Sequence, residues 1–412
     1  MSKPVVVIGG GPAGVMAALR ARERGLDVTL LEATPRLLNK LRISGKGRCN
    51  LTNAAQPQQF LSQIVHGGRF FQSAFYAFDN QALMAWVEAL GVPLKVERGQ
   101  RVFPQSDRAH DVADALTRAL SQTGVRVRYR ARVQSIDLCD HRVASVRLTD
   151  GHRIPCGACI LATGGKSYPV TGSTGDGYAL AQSCGHTVTA LSASLAPIQT
   201  AETWVRSVQG LSLKNVQLTA WAEQKRVYRE QGEMLFTDQG VSGPLVLSAS
   251  AHLDASHACE LSIDLKPALS NEQLDARIQR DLLANSNKAF QNGIAGLFPH
   301  SLVPVMVRLS GIDPQKPCHQ VTRKERMGLI ARIKDLRLHV RQIGPIEAAI
   351  VTRGGVELRE VSPKTMRSKR IQNLSFCGEV LDLDAYTGGF NLQIAFSTGY
   401  AAGSFCEIIE GI

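Results

Sequence analysis

A glycine run, Gly9-Gly10-Gly11-Pro12-Ala13-Gly14, lies directly between an apolar strand at Pro4 to Ile8 and a helix expected over Pro12 to Arg24. No other feature restricts the fold of this chain so strongly. In a β-α-β unit Gly9 permits the tight turn, Gly11 lets the backbone approach a pyrophosphate, and Gly14 allows close packing of helix on strand. Pro12 and Ala13 then open the helix whose N-terminus attracts phosphate. A second strand, Asp27 to Leu31, ends at Glu32, where a carboxylate can accept hydrogen bonds from both ribose hydroxyls. The glycine pattern alone is a weak signal; with strand, helix and terminal acid in place it predicts a dinucleotide-binding fold.

The rest of the chain sorts around that unit. Gln81 to Leu90 and Ala109 to Gln122 read as helices, the second with Val112, Ala115, Leu116 and Ala119 on one face. Val125 to Val133 alternates apolar residues with Arg126, Arg128, Arg130 and Arg132, the period of a strand with one buried face. Val143 to Leu148 and Ala158 to Ala162 add strands. From about Leu191 to Arg341 the pattern changes to strand-like runs up to Leu265 and helical ones after Asn271. Near Ile346 the first type returns, with strands at Ala348 to Val351 and Leu374 to Cys377 and a terminal helix from about Gly389. A chain of 412 residues is long enough for more than one core. The expected architecture is α/β: a Rossmann-like, two-part cofactor domain (residues 1–190 and 346–412) enclosing an inserted β-rich domain with a small helical subdomain (residues 191–345).

The short apolar start, Val5 to Ile8, is not the core of a signal peptide. Asn391 to Cys406 is interrupted by Gln, Ser, Thr and Gly, as suits a buried helix rather than a membrane span. The expectation is a cytoplasmic protein without membrane attachment. Nine scattered cysteines argue for reduced thiols. The Cys156/Cys159 pair has C-x-x-C spacing, but Cys159 enters a strand rather than opening a helix, so a space-filling role is favoured and no metal site is expected. The formal net charge of +12 suits a polyanionic partner.

FAD is the cofactor the remaining segments favour. Gly378-Glu379 follows the strand Leu374 to Cys377, placed to meet a ribityl-pyrophosphate. Thr387-Gly388-Gly389-Phe390-Asn391 opens a helix whose amides can stabilise negative charge on a reduced flavin. The plain alternative for Gly388-Gly389 is an ordinary loop before a helix. The chain has no second G-x-G-x-x-G for a separate NADPH domain, so either NADPH docks transiently over the flavin or another reductant serves.

Four further segments carry a family resemblance: Ile43-Ser44-Gly45-Lys46-Gly47-Arg48-Cys49-Asn50-Leu51-Thr52-Asn53; Ala162-Thr163-Gly164-Gly165; Val351-Thr352-Arg353-Gly354-Gly355-Val356; and Gly378-Glu379-Val380-Leu381-Asp382. With Gly232 to Thr237 and Gly240 to Pro244 in the insert, they make the chain resemble the YhiN/HI0933-type flavoproteins along its whole length. The resemblance implies FAD-dependent oxidoreductase activity, with Ser44 to Asn53 lying along the flavin. Gly45 and Gly47 would let the backbone approach the ring, Lys46 or Arg48 would offset charge, and Ser44 and Asn50 would contact the cofactor. Lys40, Val133, Thr163, Gly164 and Asp382 complete the expected cofactor set.

Two residues are catalytic candidates. The Cys49 thiol would donate a proton opposite a hydride from the flavin; its plain alternative is a buried space filler. Arg353 would bind an anionic substrate, or else end a strand at the surface. The resemblance also implies a substrate, a uridine of large-subunit ribosomal RNA reduced to dihydrouridine. Basic runs at Arg126 to Arg132, Arg323 to Arg341 and Arg359 to Arg370 agree with RNA as a partner, though each alone also suits a solvated face. A reductase of small unsaturated acids or enones would need the same flavin chemistry, and a non-catalytic flavin-bound RNA-binding factor is the third reading. Phe70, Phe71, Phe75 and Tyr76 suit either a stacked base or, preferably, a helix core. Oligomeric state is not legible.

Overall fold

Residues Val5–Ile8 form strand β1, Pro12–Glu23 helix α1 and Val28–Leu31 strand β2. The chain is described here by a computed structural model covering residues 3–254 and 256–408. β1 pairs in parallel with β2, Val5 opposite Val28 and Ile8 opposite Leu31, and on its other side with Ala158–Leu161. Leu374–Phe376 and Arg126–Arg128 complete a five-stranded parallel sheet, in the order Leu374–Phe376, Ala158–Leu161, β1, β2, Arg126–Arg128. Its central strands are buried on both faces, as a sheet covered by helices requires. The strand from near residue 375 therefore returns to the sheet built by the first 161 residues. Contacts group this part, Met1–Ser194 with Pro345–Ile412, as one unit and Leu195–Gly344 as another.

Three readings of local structure change. The strand expected over Val125 to Val133 stops at Arg128. Arg130 takes a left-handed conformation, φ 54°, and the Arg130 and Ala131 amides donate to the Thr34 and Glu32 carbonyls. The chain thus bends there before the next strand, Val133–Cys139, begins. Alternation of side chains persists through the bend, which is why sequence periodicity hides it. Ile346–Ala348 is a helical turn and the strand lies later, at Val351–Arg353, where it pairs with Ser192–Ser194. In the insert, the strand-then-helix order omits a last strand, Leu336–Ile343, whose alternating Arg and His residues read as helical charge.

That last strand closes the inserted unit. Ile198–Thr200, Gly240–Ser242, Lys225–Phe236, Ser212–Ala222, Cys259–Asp264 and Leu336–Ile343 form a closed barrel. Helices Asn271–Ala284, Val303–Ser310 and Arg323–Lys334 follow the fifth of these strands. Two of them open with capping boxes, Ser270 with Gln273 and Thr322 with Glu325, which satisfy amides left open in a first helical turn. No helix among the described residues is long and apolar enough to cross a membrane.

Candidate functional site

A deep pocket in the parallel-sheet unit opens at the C-terminal ends of β1 and β2. Of the expected cofactor residues, Gly9, Gly11, Pro12, Ala13, Glu32, Lys40, Ser44, Val133, Thr163, Gly164, Gly378, Glu379 and Asn391 line it. The motif glycines have different reasons for being there. A Cβ on Gly9, φ 108°, would lie 2.4 Å from the Ala162 carbonyl oxygen, and one on Gly14 only 1.9 Å from that of Gly9. Both are demanded by the protein's own packing. A Cβ on Gly11 would meet nothing within 4 Å, so its side faces open space that the fold itself does not need. Gly11 is the N-cap of α1 and no side chain caps that helix; the first-turn amides have no intrahelical acceptor and are free to bind an anion.

Glu32 is held rigidly beside this cradle. One carboxylate oxygen accepts from the Gly10 amide at 2.8 Å, the other from the Thr34 amide at 2.7 Å. Arg132, assigned above to a basic face, instead lines the pocket and donates to Asp176 at 2.6 Å and Thr174 at 3.1 Å. Further along, Lys40 Nζ donates to Glu379 at 2.7 Å and to Ser167 Oγ at 2.6 Å, while the second Glu379 oxygen accepts from the Thr352 amide at 2.9 Å. Thr163 Oγ1 is buried with no hydrogen-bond partner among the described residues. An unfilled helix N-terminus, an open Gly11, a ribose-ready carboxylate and an orphaned hydroxyl together suit a dinucleotide such as FAD.

The segment from Ser44 to Asn53 is placed differently from expectation. Its helix, Asn39–Gly47, is broken at Ser44, Gly45 and Lys46, and Cys49 has φ 60°. Only Ser44 of its members lines the pocket. Arg48 turns away to pair with Glu97 and Asp107 and lies 4.1 Å over the Phe103 ring. Gly45 packs beside the Asn50 amide, and Gly47 lies away from the pocket with open space around it. The Asn50 side chain spans to the Gly389 amide at 3.2 Å and the Thr52 carbonyl at 3.3 Å. Cys49 has no exposed surface, and burial pushes its thiol up to about 12. Enclosed in the core with Ser44 as a side-chain hydrogen-bond partner, the thiol has no surface open to the pocket.

The same correction applies at the second glycine pair. A Cβ on Gly389 would lie 2.3 Å from the Thr52 carbonyl, so this glycine serves a backbone crossing. Asn53 Nδ2 donates to the Gly388 carbonyl at 3.2 Å. Phe390 is buried edge-on against Phe60, whose ring also stacks on Phe75. Phe71 and Phe75 are core residues and Tyr76 is exposed. Asp382 accepts from Thr189 Oγ1 at 3.1 Å. Arg48, Asn50, Asp382, Gly388, Gly389 and Phe390 therefore brace the pocket wall rather than form it. Asn391 does both: it lines the pocket and ties down Ala385 and Tyr386 through its amide.

Beyond Asn391, Leu383, Ile350 and Val351 continue the lining. Two small sheets stand behind them. Ser192–Ser194 pairs with Val351–Arg353, Ser194 opposite Val351, and Asp384–Ala385 pairs with Ile64–His66, Asp384 opposite His66. The Asp384 carboxylate, its side chain only 1% exposed, joins the two sheets: it accepts from Ser194 Oγ at 2.6 Å and bonds His66 Nδ1. Arg353, half-buried opposite Ser192, does not line the pocket. Gly10, Arg36, Arg132, Ser173 and Thr174 also line the pocket and were not anticipated. Gly10 alone had a signal, as the middle glycine of the motif.

A parallel sheet with its glycine turn facing a helix N-terminus, an acid at the end of β2 and a returning C-terminal segment define a dinucleotide-binding flavoprotein fold. The model of the HI0933-like protein Rossmann domain matches residues 3–405, and the chain belongs to that family of FAD-dependent oxidoreductases. It is 30% identical over 405 residues to a 3-dehydro-bile acid delta(4,6)-reductase of Clostridium scindens, covering 96% of this chain and 97% of that one. It is also 30% identical over 397 residues to a ribosomal RNA dihydrouridine synthase of Escherichia coli, covering 96% of each. Among solved structures, a 3-ketosteroid-delta4-(5alpha)-dehydrogenase of Rhodococcus jostii shares the fold at TM-score 0.52 and 15% identity, over 97% of this chain and 95% of that one.

Proposed function

We propose that this pocket holds FAD and that the chain saturates a carbon–carbon double bond conjugated to a carbonyl, the substrate being a uridine of large-subunit ribosomal RNA that becomes dihydrouridine. The observation that carries the cofactor assignment is Gly11, whose missing side chain leaves room that no protein atom uses. The Gly11 and Ala13 amides would bind the pyrophosphate and Glu32 the ribose. Thr163, Gly164, Gly378 and the Lys40–Glu379 pair would lie along the ribityl chain, with Val133 on the adenosine side and Ser44 and Asn391 toward the ring. Bound there, reduced flavin supplies a hydride. NADPH is the proposed electron donor.

Both curated relatives described above are named for enzymes whose chemistry reduces an unsaturated ring, and uracil C5=C6 is conjugated to a carbonyl. Hydride at C6 and a proton at C5 complete the reduction. RNA is favoured over a small ligand by the net charge of +12. The structure tempers the basic runs: Arg126 pairs with Asp27, Arg326 with Asp275 and Arg370 with Glu360, leaving fewer free cations than the sequence suggests. A base must leave its stack to reach a flavin, so single-stranded or loosened RNA is the expected form.

The test is conversion of uridine to dihydrouridine in deproteinised ribosomal RNA by the NADPH-reduced protein. Activity should fall steeply between about 50 and 200 mM salt, because phosphate contacts release counterions. The second reading, reduction of a small cyclic enone, is favoured by the likeness to the bile acid reductase. Enone turnover indifferent to salt, with no change in any RNA, would overturn the RNA assignment and leave the flavin chemistry standing.

A further inference from the structure

With Cys49 sealed in the core, the reduction is left without the proton donor expected from the sequence. We propose that His66 is that catalytic acid, delivering a proton from Nε2, and that Asp384 and Ser194 are its positioning residues. The inference rests on the reading that a conjugated double bond is reduced. His66 and Asp384 are a cross-strand pair, and the ring meets the carboxylate through Nδ1. Asp384 is buried and also accepts from Ser194 Oγ at 2.6 Å; a carboxylate so enclosed has little freedom to move. The imidazole is 32% exposed. One ring nitrogen is held inward, and among the described residues no hydrogen bond engages the other.

The placement is what separates this pair from a simple tie between strands. Asp384 directly follows Leu383, which lines the pocket, and Ser194 sits opposite Val351, which lines it too. Gly67, next after His66, lies against Leu383, Leu358 and the Asp382 carbonyl. The three side chains do not themselves line the pocket; Asp384 and Ser194 each stand one step, along the chain or across a strand pair, from residues that do, and His66 joins them through Asp384. The buried histidine elsewhere in this unit, His186, makes a useful contrast: both of its nitrogens are engaged, by Glu360 and by Ser368 Oγ. That ring is locked. His66 keeps a nitrogen open, as proton transfer requires.

The step balances as follows. The substrate's β carbon gains a hydride, the electron pair of its double bond moves to the α carbon, and that carbon takes the proton from His66 Nε2. The imidazolium becomes neutral imidazole with its remaining proton on Nδ1, facing Asp384, and regains a proton from water at its open edge. The reductant is reduced flavin, restored by a reduced nicotinamide.

Two measurements test the assignment. In cofactor-free protein labelled with ¹⁵N-histidine, NMR should find neutral His66 as the Nδ1–H tautomer, and D384N should shift it toward the Nε2–H form. In rapid mixing, H66A and H66Q should let NADPH reduce the bound flavin at the wild-type rate. They should slow its reoxidation, by deproteinised ribosomal RNA or by cyclohexenone, on the order of 100-fold or more, with added imidazole restoring part of the loss to H66A. An Nε2–H tautomer indifferent to D384N, or wild-type reoxidation in H66A, overturns the role of His66 alone. Reduced wild-type flavin that neither substrate reoxidises overturns the reading beneath it.

Discussion

The two ends of the pocket are built on opposite principles. At the nucleotide end, the groups available to a ligand are backbone amides of Gly11 and Ala13, presented by one glycine turn and one helix, with Glu32 pinned by two amides. At the other end the wall is held by side chains from separate segments: Asn50 to Gly389, Asn53 to Gly388, Asn391 to Ala385, Ser194 to Asp384 to His66. A backbone site is set by the path of the chain and is changed only by altering glycines or the helix. A side-chain wall can be loosened one link at a time, without unfolding the sheet. Dinucleotide binding can thus stay constant while the reacting end is adapted to different substrates, as the bile acid and ribosomal RNA names of two equally similar relatives suggest.

The sharpest way to break the comparison is within the glycine motif. Gly14→Ala forces a methyl to 1.9 Å from the Gly9 carbonyl and should destabilise the cofactor-free protein by about 3 kcal/mol or more. Gly11→Ala adds its methyl to open space and should change the same unfolding free energy by less than about 1 kcal/mol. It should nevertheless prevent purification with bound flavin. Denaturant unfolding and the flavin absorbance of the isolated protein check both. If the two variants unfold alike, Gly11 is a packing glycine and the cradle argument fails.

A smaller effect is expected at Glu32. Its oxygens already accept from the Gly10 and Thr34 amides, so Glu32→Gln must turn an NH₂ toward one of two donors. Losing one such bond near the surface should cost about 1 to 3 kcal/mol, read as weaker FAD binding by calorimetry. Glu32→Ala should lose more. Equal affinity in Glu32→Gln would mean that the carboxylate braces the turn without touching a ribose.

These contrasts also mark what the sequence disclosed. The nucleotide end was legible because its determinants are local: a strand, a glycine turn, a helix and an acid follow one another, and the fold adds little except the distant strand Leu374–Phe376. The other end was legible only as a set of segments. Ser44 to Asn53 and Thr387 to Asn391 were expected along the flavin; of them only Ser44 and Asn391 line the pocket, while Arg48 turns to Glu97 and Asp107 and Gly389 meets Thr52. Nothing in the spacing says on which side of a loop a side chain emerges. His66, Ser194 and Asp384 were invisible for a stronger reason. They lie on strands of two or three residues, too short to show a period, and are joined only by the tertiary fold.

The mildest test concerns the latch on the Ser44 to Asn53 segment. Arg48 hydrogen-bonds Glu97 and Asp107, and Lys95 hydrogen-bonds Asp107 at 2.6 Å. The bond from Arg48 holds the Glu97 carboxyl below its ordinary range, and those from Lys95 and Arg48 do the same for Asp107. A carboxyl with a lowered folded-state pKa stabilises the fold above its ordinary pKa, near 4, and loses that contribution as pH falls through the folded value. The segment should therefore be protected at neutral pH and loosen in acid, whereas the amide donors of the Gly11 turn do not titrate. Hydrogen exchange corrected for intrinsic rates should show protection at residues 44–53 declining below about pH 4 in the wild type. Arg48→Met, which removes the shared cation but keeps a chain over Phe103, should lower protection at pH 7 and flatten the acid decline. An unchanged acid transition in Arg48→Met would assign it to titrating groups other than this latch, and the contrast in pH response between the two ends of the pocket would fail.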